Sequence, residues 1–335
     1  MTVGVKLILA ILSAFLTALI ISPLIIRIMR ALKAGQPILE YVDKHEGKSG
    51  TPTMGGIIFL LPMIVITLIF DVGGERSGIV AMAITLSYGL VGLLDDFLKV
   101  KSHHNMGLKA YQKVIGQVGI AVIATIYCYK NFFIGTVVNL PFTDKTIDLE
   151  WWYIPLCLFV YIATTNAVNL TDGLDGLVAK TSSVNFLFLA VIIYVLYYEA
   201  NQMGQTFYAK HLESLNYFVG AMLGGMLAFL WQNNYPAKIF MGDTGSLAVG
   251  GALVSIALFT SQPLIILFIG IMYIVSCISV IVQVMSFKIR KKRVFLIAPY
   301  HHHLEYKGVH ENRITGFYAL ITFFMSGVAL ISVLV

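Results

Sequence analysis

The sequence has 335 residues, of which 58% are hydrophobic and only 12% are charged, and its formal net charge is +6. Soluble globular domains carry roughly 25% charged residues, so this composition excludes an ordinary soluble protein and indicates the lipid bilayer as the main solvent. The apolar runs are long and unbroken, which predicts transmembrane helices and not the short alternating strands of a β-barrel.

Ten apolar runs approach the roughly 20 residues that a membrane-spanning helix needs. In chain order we predict spans near residues 4–26, 54–70, 78–94, 114–130, 151–168, 182–199, 215–231, 246–260, 263–286 and 314–334. The eighth span is short, and Gln262-Pro263 separates it from the ninth. The predicted fold class is therefore all-α, a polytopic integral membrane protein with a single domain over residues 1–335.

The segment 131–150 lies between the fourth and fifth spans and resembles a small hairpin. Apolar residues at Val137 and Val138 precede a turn at Thr143-Asp144-Lys145, and Ile147 follows it. This pattern predicts two short antiparallel strands on the outer side of the membrane.

The basic residues predict the orientation of the chain in the membrane, because cytoplasmic loops are enriched in lysine and arginine. Eighteen of the 23 basic residues follow odd-numbered spans, in loops near 27–53, 95–113, 169–181, 232–245 and 287–313. We therefore expect these five loops to face the cytoplasm and both termini to face outward.

Polar side chains gather at the ends of the same odd-numbered spans. Asp95 and Asp96 follow the third span, and Asp243 precedes the eighth. The sequence Asn169-Leu-Thr-Asp-Gly-Leu-Asp-Gly176 follows the fifth span, and His301, His302 and His303 lie after the ninth. Because all of these loops share one face, the sequence predicts an active site at the cytoplasmic surface.

Each of these features has a simpler reading on its own. Asp-Gly pairs are often turns, Asp172 and Asp175 could cap a helix, and Asp95-Asp96 could be interfacial solvation. The basic run at 288–293 favours a topology determinant, and the histidines could form a solvated loop or a weak metal site. Gln283 lies deep in a span, where it could face a cavity or bond a neighbouring helix. The coincidence of four such features on one face favours a functional site.

Five aspartates at one membrane surface repel one another unless a cation lies among them. Carboxylate oxygens without cysteine ligands suit a hard cation, and Mg²⁺ is the usual choice where phosphates complete the coordination shell. Lysines of the same loops would bind phosphate oxygens. The pattern indicates a diphosphate substrate that meets a lipid.

The motifs resemble those of the polyprenyl-phosphate N-acetylhexosamine-1-phosphate transferases. The matching segments are KSGTPTMGG (48–56), GLLDDFLK (92–99), NLTDGLDG (169–176), NNYPAK (233–238), FMGDTGS (240–246) and PYHHHLE (299–305). The last of these is typical of the branch whose donor is UDP-N-acetylmuramoyl-pentapeptide. The resemblance covers nearly the whole chain.

The resemblance implies a Mg²⁺-dependent reaction in the bacterial cytoplasmic membrane. The donor would transfer its phospho-sugar to undecaprenyl phosphate, giving lipid I and UMP in peptidoglycan synthesis. It implies membrane lipid and a second copy of the chain, in a homodimer, as partners, and no nucleic acid. A sister transferase that uses UDP-N-acetylglucosamine is the alternative enzyme. A lipid flippase or transporter is the alternative class, although its acidic groups should lie near the bilayer midplane.

The resemblance also implies roles for particular residues. Asp243 is the first expected metal ligand and Asp95 the second, and Asp96 is expected near the lipid phosphate. The catalytic set is then Asp95, Asp96, Asp243 and His302. The expected substrate-binding residues are Lys48, Thr53, Lys113, Asn169, Asp172, Gly173, Asp175, Asn233, Phe240, Gln283, His301 and His303. Either the lipid phosphate attacks the donor directly or an aspartate attacks first; chemistry favours the direct route.

Overall fold

The computed structural model of the protein describes residues 2–32, 50–71, 75–102 and 107–335. Lys48, expected in the donor site, lies outside the described residues. Within these ranges the chain forms α1 (Val3–Ala31), α2 (Ile57–Phe70), α3 (Ser77–Ser102), α4 (Ala110–Lys130), β1 (Val137–Asn139), β2 (Thr146–Asp148), α5 (Tyr153–Thr171), α6 (Leu177–Gln202), α7 (Thr206–Asn233), α8 (Gly242–Phe259), α9 (Ile266–Ile269), α10 (Ile271–Arg290), α11 (Tyr300–Tyr306) and α12 (Glu311–Leu334).

The prediction of an all-α polytopic membrane protein is confirmed. Nine helices in the described part of the chain are long and apolar enough to cross a bilayer, and α2 is a shorter apolar helix. Large apolar side chains such as Ile20, Ile123 and Phe159 are exposed on the outer helices. Such side chains are stable on the surface of this fold because the surrounding solvent is lipid.

Helix α8 forms the centre of the helix bundle. Every residue from Thr244 to Phe259 is buried, and α3 and α5 pack closely against this helix. A Cβ atom at Gly250 would lie 2.6 Å from the Cα atom of Thr165, and one at Gly251 would lie 2.5 Å from the Tyr88 ring. Small residues therefore permit the close helix contacts on which packing inside a membrane depends.

The predicted hairpin is also confirmed. Strands β1 and β2 are antiparallel, with Val138 opposite Ile147. The backbone N–H of Asn139 donates to the carbonyl of Ser261, and that of Phe142 donates to the carbonyl of Ser332. These bonds attach the hairpin to the ends of α8 and α12, at the opposite end of the bundle from Asp243.

Two elements differ from the predicted spans. The ninth span, predicted as one helix over 263–286, is a 3-10 turn at Pro263–Ile265 followed by α9 and α10, with an interruption at Gly270. Glycine is a poor helix former, and a Cβ atom at Gly270 would lie 2.6 Å from the carbonyl oxygen of Ile266. In addition, the three histidines lie on a short helix, α11, and not in an irregular loop.

Candidate active site

Three carboxylates meet where the end of α3 contacts the beginning of α8. One oxygen from each of Asp95, Asp96 and Asp243 lies within 4.8 Å of the other two. Helix α3 extends beyond the predicted third span to Ser102, which carries the two neighbouring aspartates out to this point. The residues that sequence analysis placed on one face therefore do lie together.

Asp96 holds the N-terminus of α8 in place. It is fully buried and accepts hydrogen bonds from the backbone N–H groups of Asp243 (3.2 Å) and Thr244 (2.9 Å). The Thr244 hydroxyl donates to it as well, at 2.7 Å. The first N–H groups of a helix lack partners within the helix and carry partial positive charge, so a carboxylate is favourable here.

Two lysines form ion pairs with Asp95 and Asp243. The Nζ atom of Lys99 lies 2.6 Å from an oxygen of Asp95 and 2.9 Å from one of Asp243. Lys113 Nζ lies 2.9 Å from the same Asp243 oxygen. Lys113 was an expected site residue, but Lys99 was not. Lys99 could have been predicted from its position four residues after Asp95, since residues i and i+4 face each other on a helix.

Asn169, at the end of α5, connects the second polar loop to this cluster. Its amide nitrogen lies 2.6 Å from Asp243 Oδ1 and 2.8 Å from the Ser246 hydroxyl oxygen, and its amide oxygen accepts from Lys113 at 3.0 Å. Asp243 therefore receives hydrogen bonds on both oxygens. Ser246 is a second contact that sequence analysis did not single out.

Asp172 and Thr53 lie at the border of the same site. Burial, followed by the negative charges of Asp243, Asp96 and Asp175, raises the pKa of Asp172 well above its usual value. Thr53 is fully buried beside Gly242, where an added Cβ atom would lie 2.7 Å from its hydroxyl oxygen. Gly242 has a φ of +74°, which an L side chain rarely adopts, so glycine is required at this close approach.

The histidines of α11 contact the loop after α5. A Cβ atom at Gly173 would lie 2.5 Å from Nε2 of His301 and 2.8 Å from Nε2 of His302. Glu305 Oε2 lies 2.9 Å from His302 Nδ1, which orients that ring. His301 is fully buried, and neither ring nitrogen has a hydrogen-bond partner among the described residues. Burial, with the neighbouring His302, lowers the pKa of His301 well below its usual value.

Asp175 and Asn233 connect two loops. Asp175 accepts from the backbone N–H of Ala237 at 2.9 Å. Asn233 accepts from the N–H of Gly176 at 3.0 Å and donates to the carbonyl of Ile239 at 2.9 Å. Both side chains thus join the loop 172–176 to the loop 234–241.

The remaining expected residues have contacts outside the carboxylate cluster. The backbone of Phe240 bonds with Pro52 and Gly55, and its ring is half-buried. The Gln283 amide binds the backbone of residues 294 and 295. His303 Nδ1 accepts from the N–H of Leu296 at 3.1 Å. Gln283 and His303 therefore both hold the segment that leads into α11.

The donor set fits a hard divalent cation. The three converging atoms are carboxylate oxygens, with neither thiolate nor imidazole among them, as Mg²⁺ prefers. Both lysines nearby would also suit the oxygens of a diphosphate that shares this cation. The geometry is thus that of a polar site at the ends of α3 and α8 that could hold a divalent cation.

Comparison with known proteins shows which enzymes the chain is similar to. The model of glycosyl transferase family 4 matches residues 78–261, and phospho-N-acetylmuramoyl-pentapeptide-transferase signature 1 matches residues 48–60. The chain is 44% identical over 320 residues to the phospho-N-acetylmuramoyl-pentapeptide-transferase of Thermoanaerobacter sp. (strain X514), covering 95% of both chains. It is 41% identical over 327 residues to that of Bacillus subtilis (strain 168), covering 96% of this chain and 94% of the relative.

The fold and site therefore define a polytopic membrane transferase. The chain belongs to glycosyl transferase family 4 and, within it, to the phospho-N-acetylmuramoyl-pentapeptide-transferases. The family predicted from the motifs is confirmed.

Proposed function

We propose that the chain transfers phospho-N-acetylmuramoyl-pentapeptide from UDP-N-acetylmuramoyl-pentapeptide to undecaprenyl phosphate, giving lipid I and UMP. The enzyme would act in the bacterial cytoplasmic membrane, with its site toward the cytoplasm, and as a homodimer. The observation that carries the proposal is the cluster of Asp95, Asp96 and Asp243 with Lys99 and Lys113, in a chain of this family.

Asp243 is the proposed first ligand of Mg²⁺ and Asp95 the second, and Asp96 positions Asp243 through the N-terminus of α8. A bound Mg²⁺ would neutralise charge on the diphosphate and on the departing UMP. Lys99 and Lys113 bind phosphate oxygens in this scheme, because their ammonium groups already lie at the same carboxylate. As the resemblance implies, the phosphate of the lipid would bind near Asp96.

The remaining residues bind the rest of the donor. Asn169, Asp172 and Gly173 contact the uridine end, and Phe240 borders the uracil ring. His302, oriented by Glu305, and the neighbouring His301 lie against Gly173. In this proposal they line the remaining part of the donor cleft. The other expected residues complete the site or hold its loops. They are Lys48, Thr53, Asp175, Asn233, Gln283 and His303.

The proposed step is direct attack by the acceptor. The phosphate of undecaprenyl phosphate has a second pKa near ~6, so it is mostly dianionic at neutral pH and needs no strong base. One of its oxygens forms a bond to the β-phosphorus of the donor, and the bond from that phosphorus to the bridging oxygen breaks. UMP leaves with the electron pair, and Asp95 orients the reactants.

The direct route is tested with donor labelled at the β-phosphate. After incubation of purified protein with this donor alone, the protein should carry no label. Labelled phospho-aspartate at Asp95 would establish the two-step route instead.

The proposed function is tested by UMP release from purified protein, given undecaprenyl phosphate, Mg²⁺ and one donor at a time. UDP-N-acetylmuramoyl-pentapeptide should support release and UDP-N-acetylglucosamine should not. The reverse preference would identify the sister transferase. If neither donor supports UMP release, the proposal is contradicted and a transport role is favoured.

Asp243→Asn should lower the rate by about 100-fold or more, because it removes charge at the centre of the site. Its rate should also depend less steeply on Mg²⁺ concentration. Asp144→Asn, in the exposed turn of the hairpin, is the matched control and should retain the wild-type rate. Near-normal turnover in Asp243→Asn would remove this residue from the metal site.

A further inference from the structure

The loop 172–176 carries residues that the proposed function assigns to the donor, yet it has no regular structure of its own. Its backbone turns sharply between α5 and α6, with Gly176 at a φ of +76°. Neighbouring elements must therefore hold it in place. One of these elements is the first turn of α12, which lies more than 130 residues further along the chain.

Glu311, the first residue of α12, contacts this loop directly. Its carboxylate oxygen Oε1 lies 2.5 Å from the backbone nitrogen of Asp175 and accepts its hydrogen bond. The Glu311 residue is only 8% exposed. Burial of a carboxylate is costly unless hydrogen bonds compensate it, so this contact favours one defined position of the loop.

A second contact from the same face of α12 strengthens the attachment. Thr315 lies four residues after Glu311, one turn along the helix, and its hydroxyl accepts from Lys180 Nζ at 2.8 Å. Lys180 belongs to the first turn of α6, directly after the loop. The start of α12 therefore holds both the loop and the helix into which it leads.

The effect of Glu311 extends to the neighbouring loop. Asp175, whose N–H is bound by Glu311, accepts through its own carboxylate from the N–H of Ala237. Residues 234–241 then lead into Gly242 and Asp243. Glu311 is thus connected, through Asp175, to both the loop 172–176 and the loop 234–241.

We infer that Glu311 is a positioning residue for the donor, which it serves by holding the backbone of the loop 172–176 through Asp175. This inference rests on the proposed function and adds to it a residue from outside the motifs that indicated the site. Glu311 acts through the loop, so its loss should weaken donor binding more than it slows the chemical step.

The test compares Glu311→Ala, Glu311→Gln and Asn312→Ala with the wild type in the purified full chain. Glu311→Ala should raise the KM for UDP-N-acetylmuramoyl-pentapeptide about tenfold and weaken UMP binding similarly, because one charge-assisted hydrogen bond is lost. The KM for undecaprenyl phosphate and kcat should change by less than about twofold, since Glu311 lies away from the reacting atoms. Asn312, the exposed next residue, is the matched control and should behave as the wild type.

Glu311→Gln separates positioning from general stabilisation. Its amide oxygen can still accept the hydrogen bond from Asp175, so its KM should stay within about twofold of the wild type. A fall in kcat with unchanged KM in Glu311→Ala would overturn the inference, because it would indicate only a smaller folded fraction. Equal impairment of Glu311→Ala and Glu311→Gln would also overturn the inference. It would indicate that the negative charge of Glu311 is required, and not its ability to accept the hydrogen bond from Asp175. A wild-type protein that releases no UMP would instead contradict the proposed function itself.

Discussion

Lys99 shows how individual charges are balanced at the centre of the site. Its ammonium group bonds to two carboxylates that belong to different helices, and its side chain is only 20% exposed. Three carboxylates within 4.8 Å would repel one another strongly in such a poorly solvated position. Lys99 and Lys113 reduce this repulsion and would offer the same positive charge to a diphosphate.

Lys99→Met should therefore be severely impaired. Removing one partner of a buried ion pair typically costs about 3 kcal/mol or more, so the thermal midpoint in detergent should fall and the transfer rate should drop about 100-fold. Added Mg²⁺ should recover more of the midpoint in this variant than in the wild type, because the carboxylates lack a counter-charge. Lys101→Met, two residues away and exposed, is the control. A wild-type midpoint in Lys99→Met would contradict this account.

His301 should make the protein sensitive to acid. The folded protein keeps this buried ring neutral because its pKa is far below the usual value, whereas the unfolded chain takes up a proton below a pH of about 6.5. The unfolded state then binds more protons, so stability falls as the pH decreases. At a pH of about 5.5 the loss from this group should be about 1.4 kcal/mol.

The measurement compares thermal midpoints at a pH of about 7.5 and about 5.5 for the wild type, His301→Gln and His303→Gln. His301→Gln should lose less stability on acidification than the wild type, because its side chain does not titrate. His303, on the same helix but partly exposed, should give a smaller difference. Identical acid sensitivity of His301→Gln and the wild type would show that the folded protein does not keep the His301 imidazole buried and neutral.

At the scale of helices, the position of the cluster depends on how closely α3 approaches α8. Gly92 lies one turn before Asp96, and a Cβ atom there would lie 2.1 Å from the carbonyl oxygen of Asp243. Backbone atoms of α8 cannot yield as a flexible side chain can. A methyl group at this position must therefore separate the two helices that carry the three aspartates.

Gly92→Ala should consequently lose most of its transfer activity although it changes no polar group. Overpacking typically costs about 1–3 kcal/mol, so the protein should still fold but with a lower thermal midpoint. The control is Gly119→Ala in α4, where an added Cβ atom has no neighbour within 4 Å among the described residues. Gly119→Ala should keep the wild-type midpoint and rate. Equal behaviour of the two variants would show that the α3–α8 distance does not determine activity.

The sequence predicted helices well where hydropathy determines them and poorly where tertiary contacts do. Apolar runs placed the spans because a bilayer requires about 20 such residues. The interruption at Gly270 and the short helix α11 were not predicted, since neither changes the average hydropathy of its segment. The bonds of Asp175, Asn233 and Gln283 to distant backbone were also beyond prediction, because each depends on which loops become neighbours.

For the whole molecule, the most informative sequence argument was that all loops after odd-numbered spans lie on the same side of the membrane. It predicted that polar residues separated by up to two hundred positions would meet, and contacts now connect all five predicted cytoplasmic loops. Thr53 lies beside Gly242, Asp95 near Asp243, and Gly173 against His301. The hairpin, with Ser261 and Ser332, lies at the opposite end.

The distribution of basic residues predicts that the carboxylate end faces the cytoplasm and the hairpin faces outward. Single cysteines test this in a chain whose native Cys128, Cys157 and Cys277 are replaced by serine. Lys145→Cys lies in the exposed hairpin turn, and Lys307→Cys lies in the exposed turn after α11. A membrane-impermeant maleimide added to intact cells should label position 145, and it should label position 307 only after permeabilisation. The opposite pattern would place the aspartates outside, where a nucleotide-sugar donor from the cytoplasm could not reach them.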